Sequence, residues 1–237
     1  MAVEPSFIQT QHTCEHCVLR QLFVRSGLAG EQIAALGNAT IRCHGPYRRG
    51  QHIFRAGDQV KSLYVITSGA VKTEITAPSG RQVTGFFLTG ESFAAEAIGR
   101  DVLPFDAIAL RKTTVCELSR THLEELCAEN ERLLHEVLRF LSEHIRTSSR
   151  QWISMRHLNS EQRVIRFLRD LRRRIALRQG HEPGEIRLPM TKDDISCFLS
   201  LAPETLSRTL TKLAKGGVIR NTMKSVELLD REAIETH

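Results

Sequence analysis

Glu204, Ser207 and Arg208 stand at i, i+3 and i+4 and put a carboxylate, a hydroxyl and a guanidinium on one face of a predicted helix. A carboxylate accepts from an exocyclic amino group such as that of cytosine. A guanidinium grips two adjacent acceptors such as guanine O6 and N7, so the trio has the chemistry to read base edges in a major groove. Lys212, Lys215 and Arg220 follow and suit phosphate oxygens, which position a protein on a duplex without specifying sequence. The bland alternative is an amphipathic helix with a solvated Glu and Arg.

The cysteines are the second chemically capable group. The chain has six, at 14, 17, 43, 116, 127 and 197, too few and too scattered for a disulfide framework in 237 residues. In a reducing compartment such residues serve as buried thiols, metal ligands or redox sensors. Cys14 and Cys17 form a C-x-x-C pair; a zinc ribbon needs a second close pair, and none is present. Cys127 and Cys197 are expected to be small buried hydrophobes. The ten histidines are dispersed, with only His52 inside the core strand runs read below, which argues against a cupin-like metal enzyme or small-molecule binder. No nucleophile, base and orienter stand together, so the chain does not read as an enzyme.

Local signals show how the trio is held. Thr191-x-x-Asp194 resembles a capping box and opens a helix carrying Ile195, Phe198 and Leu199 inward. Pro203 suits the first turn of a second helix, whose Leu206, Leu210 and Leu213 form one buried stripe. Gly216 and Gly217 end it, where glycine takes a left-handed cap at little cost. After them VIRNTMKSVELL, residues 218–229, alternates like a two-stranded wing.

Upstream, Asn159-x-x-Gln162 resembles another capping box, opening a helix with seven arginines between Arg163 and Arg178. A longer helix spans about Asn130 to Arg156. Its Leu134, Leu138, Leu141, Ile145, Ser148, Trp152 and Met155 alternate in steps of four and three, the seam of a two-stranded coil or of packing onto the chain's own core. Between Ile41 and Leu118 short β-type runs lie at 52–54, 63–66, 70–75, 83–88, 105–110 and 114–118, punctuated by glycines, the layout of an antiparallel barrel or jelly roll. Residues 1–27 read as an irregular arm, followed by a short helix near 30–36.

With 41% hydrophobic residues the chain can bury two cores, and its formal net charge of +6 favours a polyanionic partner. The N-terminal residues lack a signal pattern and no apolar run spans a bilayer, so no membrane association and a cytoplasmic location are expected.

Gly50-x-x-Ile53-Phe54-x-x-Gly57-Asp58, Leu63-Tyr64-Val65-Ile66-x-Ser68-Gly69-x-Val71-Lys72, and Thr84-Gly85-Phe86 with Gly90-Glu91 resemble the β-roll of the Crp/Fnr superfamily. Glu204-x-x-Ser207-Arg208 resembles the base-reading motif of its Fnr/FixK-type members, and the likeness covers residues 14 to 229. The resemblance implies an α+β chain: a cysteine-bearing arm (1–27), an N-terminal antiparallel β-roll of cyclic-nucleotide-binding jelly-roll type (28–129), a long dimerisation helix (130–157) and a C-terminal winged helix-turn-helix (158–237). It implies a homodimer that binds double-stranded DNA at a TTGAT…ATCAA palindrome. Such a dimer mainly activates genes of low-oxygen life, among them microaerobic or anaerobic respiration, denitrification and nitrogen fixation. The loop Ser79 to Thr89 corresponds to a contact with RNA polymerase.

Three departures from the family pattern bear on sensing. Cyclic-nucleotide members hold the ligand phosphate with an arginine where this chain has Phe105, so tight cyclic AMP binding is not expected. Fnr-type members hold a [4Fe–4S] cluster with three arm cysteines and one strand cysteine. Cys14, Cys17 and Cys116 match three of these, the remaining arm position falls near Phe23, and Cys43 is the candidate fourth ligand. A thiol switch pairing Cys14 or Cys17 with each other or with Cys116, and the absence of direct sensing, are the alternatives. Finally, Ser148 replaces an acidic seam residue, which lowers the cost of dimerisation.

Overall fold

The computed structural model describes residues 17–28, 41–59, 61–78, 80–222 and 225–229. The chain forms two compact units, the first made of residues up to Gly80 and Thr84–Thr147, the second of Arg81–Val83 and the residues from Ser148 on. The architecture is α+β, with a β-roll of two four-stranded sheets, a long helix and a C-terminal helix-turn-helix with a small sheet.

The strands of the first unit are β1 (Ile41–Tyr47), β2 (His52–Phe54), β3 (Ser62–Ser68), β4 (Ala70–Ala77), β5 (Gly80–Leu88), β6 (Ser92–Phe93), β7 (Asp106–Ala109) and β8 (Thr113–Ser119). Among the described residues they make two four-stranded sheets, ordered β1-β8-β3-β6 and β2-β7-β4-β5. Side chains alternate across a strand, and β3 feeds two cores as a result. Tyr64 and Ile66 point into the roll with Tyr47, Phe54, Phe93 and Val115, while Leu63 and Val65 point to the opposite face with Leu118. Gly69 joins β3 to β4 with φ +105, and a Cβ there would fall on Thr113.

That opposite face is covered by helices α1 (Val18–Arg25), α2 (Arg120–Glu129) and α3 (Glu131–His157). Residues 18–25 are therefore helical and not part of an irregular arm. Leu19, Leu22 and Phe23, at helical spacing, are buried on the sheet, and each fully buried side chain of this kind contributes roughly 1.5–3 kcal/mol. The expected helix near 30–36 lies outside the described residues.

Helix α3 carries two stripes. Leu133 and Val137 are buried and Phe140 and Leu141 partly so, all against the core of the same protomer. Leu134, Leu138 and Ile145, one step around, are 42, 52 and 68% exposed, and Ser148 is exposed as well. The predicted seam is thus split: Leu141 packs inward, whereas Leu134, Leu138 and Ile145 face solvent. The side chains of Trp152 and Met155 lie outside those described.

The strand run read at 83–88 is part of β5, which takes up most of the segment named as the loop Ser79 to Thr89. Phe86 is 3% exposed there, and Phe87 packs against the roll core. β1 was not among the predicted strand runs because Gly45 and Pro46 interrupt its pattern. With β1 included, His44 joins His52 within the strands.

In the second unit α4 (Ser160–Gln179), α5 (Lys192–Phe198) and α6 (Pro203–Lys215) surround a core of Val164, Leu168, Leu171, Ile195, Leu206 and Leu210. Strands β9 (Ile186–Arg187), β10 (Ile219–Asn221) and β11 (Ser225–Leu228) form a small sheet ordered β10-β11-β9. Two residues of β9 are too few to leave a period in the sequence, so the wing read as two-stranded gains a third. None of the described helices is long and apolar enough to cross a membrane.

Candidate nucleic-acid interface and thiol group

The helix-turn-helix is built by two caps and one buried stripe. Thr191 Oγ1 accepts from the Asp194 N–H at 3.0 Å, and the Asp194 carboxylate accepts from the Thr191 N–H at 3.1 Å, closing the capping box and starting α5. Ile195 and Leu199 are buried, and the half-buried Phe198 ring meets Phe167 of α4 with centroids 5.6 Å apart. The chain then turns through Ser200, at φ +51, with its N–H bonded to the Cys197 carbonyl at 3.2 Å. Arg163 of α4 holds the turn by donating from Nη1 to the Leu199 carbonyl at 3.2 Å.

Pro203 occupies the first turn of α6, where a missing N–H costs nothing. Leu206, Leu210 and Leu213 are buried with Thr209, so the rotation of the helix is set by its apolar stripe. Glu204, Ser207, Arg208 and Lys212 are left exposed on the other side. Lys212 Nζ contacts Glu161 Oε1 at 2.5 Å and Arg220 Nη1 contacts Glu227 Oε2 at 2.5 Å, both at the surface. Exposed pairs contribute about 0–1 kcal/mol, so a phosphate group could displace either carboxylate cheaply. Of the two glycines closing α6, Gly217 takes the left-handed conformation at φ +74. Gly216 stays right-handed at φ −76, which corrects the sequence reading by one position.

Three of the described cysteines, Cys17, Cys43 and Cys116, lie near one another. Cys43 on β1 and Cys116 on β8 are directly opposed in the antiparallel ladder, and their sulfurs lie 2.6 Å apart. Cys17 precedes α1 and packs against the core that contains Leu19 and Phe23. Burial pushes its thiol above the ordinary value. The Arg20 and Leu19 N–H groups pull the other way, and Cys43 nearby adds a smaller upward effect. Cys127 and Cys197 are only half-buried, against the expectation that both are interior. Burial also raises the Cys127 thiol, with Glu124 adding to it. Cys14 lies outside the described residues.

A four-iron cluster needs four ligands, and of the four that the resemblance implies, Cys17, Cys43 and Cys116 are described while Cys14 is not. The arm position near which the resemblance calls for a further cysteine holds Phe23, whose ring is 2% exposed in the core. Among the described residues no group of three or more Cys, His, Asp or Glu is placed to hold a metal ion.

Inside the roll, Phe105 is 7% exposed and meets Phe54 with ring centroids 5.8 Å apart, part of an aromatic core with Tyr64 and Phe93. The position that could have carried a phosphate-binding cation instead supports packing.

Comparisons with known proteins agree with this geometry. Residues 45–130 match the cyclic nucleotide-binding domain family, and residues 162–236 match the Crp-like helix-turn-helix domain family. The chain is 34% identical to the fumarate and nitrate reduction regulatory protein of Escherichia coli (strain K12), over 93% of this chain and 88% of that protein. It is 36% identical to the fumarate nitrate reduction regulatory protein of Klebsiella oxytoca, over 87% of this chain and 82% of that one. Among solved structures, FixK2 from Bradyrhizobium japonicum superposes with a TM-score of 0.74 at 24% identity, covering 83% of this chain and 96% of that chain, a likeness of fold.

Proposed function

The chain belongs to the Crp/Fnr family of DNA-binding transcription regulators, which are not enzymes, and from that premise we propose that it acts as a homodimer on a palindromic operator. In this reading each α6 enters a major groove and presents Glu204, Ser207 and Arg208 to base edges of the TTGAT…ATCAA kind, with Lys212, Lys215 and Arg220 on phosphates. The exposure of this trio on the side of α6 opposite Leu206, Leu210 and Leu213 carries the reading. The outward stripe of Leu134, Leu138 and Ile145 supports a second copy of α3 as the dimer partner, because large apolar side chains repeated along one helix face are costly in water.

Its targets in this reading are genes of low-oxygen metabolism, activated through contact with RNA polymerase. Support comes from the similar regulators, whose names refer to fumarate and nitrate reduction, reactions in which another acceptor replaces oxygen. Polymerase contact through segment 79–89 would use exposed positions such as Thr84 and Thr89 and not Phe86, which is interior. A second reading, regulation by thiol oxidation, is favoured by the opposed Cys43 and Cys116.

Fluorescence anisotropy with the palindrome and with a scrambled duplex of equal length tests the proposal. The palindrome is expected to bind more tightly at fixed salt, and Arg208→Ala to lose about 1–3 kcal/mol and relax discrimination at one base pair. Equal affinity for both duplexes would overturn it.

A further inference from the structure

We infer that Cys43 and Cys116 form a peroxide-oxidisable dithiol inside the β-roll, closing to a cross-strand disulfide without backbone rearrangement. The two residues are register partners in β1 and β8. Directly opposed residues in an antiparallel pair have Cα atoms about 4.5–5.5 Å apart, inside the roughly 4.4–6.8 Å window of disulfides. Their sulfurs are already at 2.6 Å, and only a small side-chain adjustment separates this contact from a bond of about 2.05 Å.

β8 is an interior strand, paired with β1 on one side and β3 on the other, so the ladder fixes the backbone that carries Cys116.

The oxidant class follows from burial. Cys43 is 7% and Cys116 5% exposed, and Cys116 is the register partner of Val65, so a bulky oxidant such as a protein disulfide is excluded by size. The proposed oxidant is a small hydroperoxide, the class that the residual exposure of the two sulfurs suits best. One sulfur, as thiolate, attacks a peroxide oxygen; the O–O bond breaks, the distal oxygen leaves as hydroxide or alkoxide and takes up the released proton, and a sulfenic acid remains. The second sulfur attacks the sulfenic sulfur, the S–O bond breaks, and the hydroxyl leaves as water with the second thiol proton. Two thiols and one hydroperoxide thereby give one disulfide, one water and one alcohol, or a second water from hydrogen peroxide. Each sulfur loses one electron, and the peroxide oxygens gain the two.

The bond would consume the strand cysteine that the sequence resemblance assigns to a cluster and tie β1 to β8 across 73 positions of chain. Operator recognition by α6 is measured separately, so failure of one proposal leaves the other standing.

Reduced protein freed of reductant is treated with hydrogen peroxide, blocked with iodoacetamide and digested with trypsin without reduction. Trypsin releases Cys43 in Cys43–Arg48 and Cys116 in Thr113–Arg120, and the fragment ending at Arg20 carries Cys14 and Cys17. A mass corresponding to the first two peptides joined, with two of the six thiols lost in the denatured count, is the expected result. That linked mass should vanish in Cys43→Ser, with the reduced variant's circular dichroism serving as the folding check. Retention of all six thiols, or linkage only to the fragment ending at Arg20, overturns the inference.

Discussion

Thr191 and Asp194 cap the same helix end reciprocally: each side chain accepts from the other's backbone N–H, and the Thr191 hydroxyl also donates to the Asp194 carboxylate at 2.7 Å. Asp194 is buried, so this pair starts α5 at a defined residue and thereby sets where the turn and α6 follow. Thr191→Ala is expected to lower the stability of the second unit by about 0.5–2 kcal/mol, read from urea unfolding. An unchanged midpoint would mean that packing of Ile195 and Leu199 alone fixes the start of α5.

The exposed basic residues should separate from the reading trio. Lys215→Ala is expected to weaken all duplexes about equally and to reduce the slope of log affinity against log salt by about 1. Glu204→Ala should instead change the ranking of operators altered at one base pair, by about 1–3 kcal/mol. Both residues are exposed, so neither substitution should move stability by more than about 0.5 kcal/mol.

Ile145→Glu tests the dimer. Ile145 is 68% exposed, so the protomer should fold as before while sedimentation shifts toward monomer. Ser148 is exposed on the same helix, and Ser148→Asp should weaken dimerisation by placing like charges near each other. Air-exposed wild-type protein at micromolar concentration is expected to remain dimeric; strict monomer would remove the role assigned to Ser148.

His144 makes the first unit sensitive to acid. It stacks edge-on against Phe140 at 4.6 Å and approaches the Ser92 hydroxyl at 3.4 Å. Burial pushes its imidazole below the ordinary 6.5, against the opposing pull of Glu96, Glu91 and Glu143. The unfolded chain therefore takes up a proton that the folded chain resists, so His144's contribution is complete above the unfolded value and is lost as pH falls below it. Urea midpoints are expected to fall between about pH 7 and about pH 5, and less steeply in His144→Gln. Identical slopes would dismiss His144 as the source.

Calorimetry with cyclic AMP is expected to show no micromolar binding. Phe105 lies among Phe54, Tyr64 and Phe93, and an apolar ring cannot balance a buried phosphate. Measurable heats with micromolar affinity would require another cation in the roll.

Much of the second unit is legible in the primary structure because its signals are local. Both capping boxes, at Thr191 and Asn159, form as their residue types demand, and the leucine stripe of α6 is buried at the spacing read from the chain. The shortfalls occur where a signal is short or shared. Gly216 and Gly217 are chemically identical, and only the path into β10 decides which of them takes φ +74. β9, two residues long, exists because β11 offers it an edge. Helix α1 was missed because a few apolar residues beside a C-x-x-C pair read equally well as a tethered arm until a sheet is present to bury them.

What the amino-acid order determined alone is therefore the identity and phase of the reading helix: periodicity and caps act within a few residues and need no distant partner. What required the folded chain is the partnership of distant groups. Cys43 and Cys116 are separated by 73 positions and meet because β1 pairs with β8 in one particular register, while α3 divides its apolar residues between an inward and an outward stripe according to where the β-roll surface lies. Alternation along each strand says which face is buried, but which distant strand pairs with it, and where a helix docks, depends on the assembled sheet.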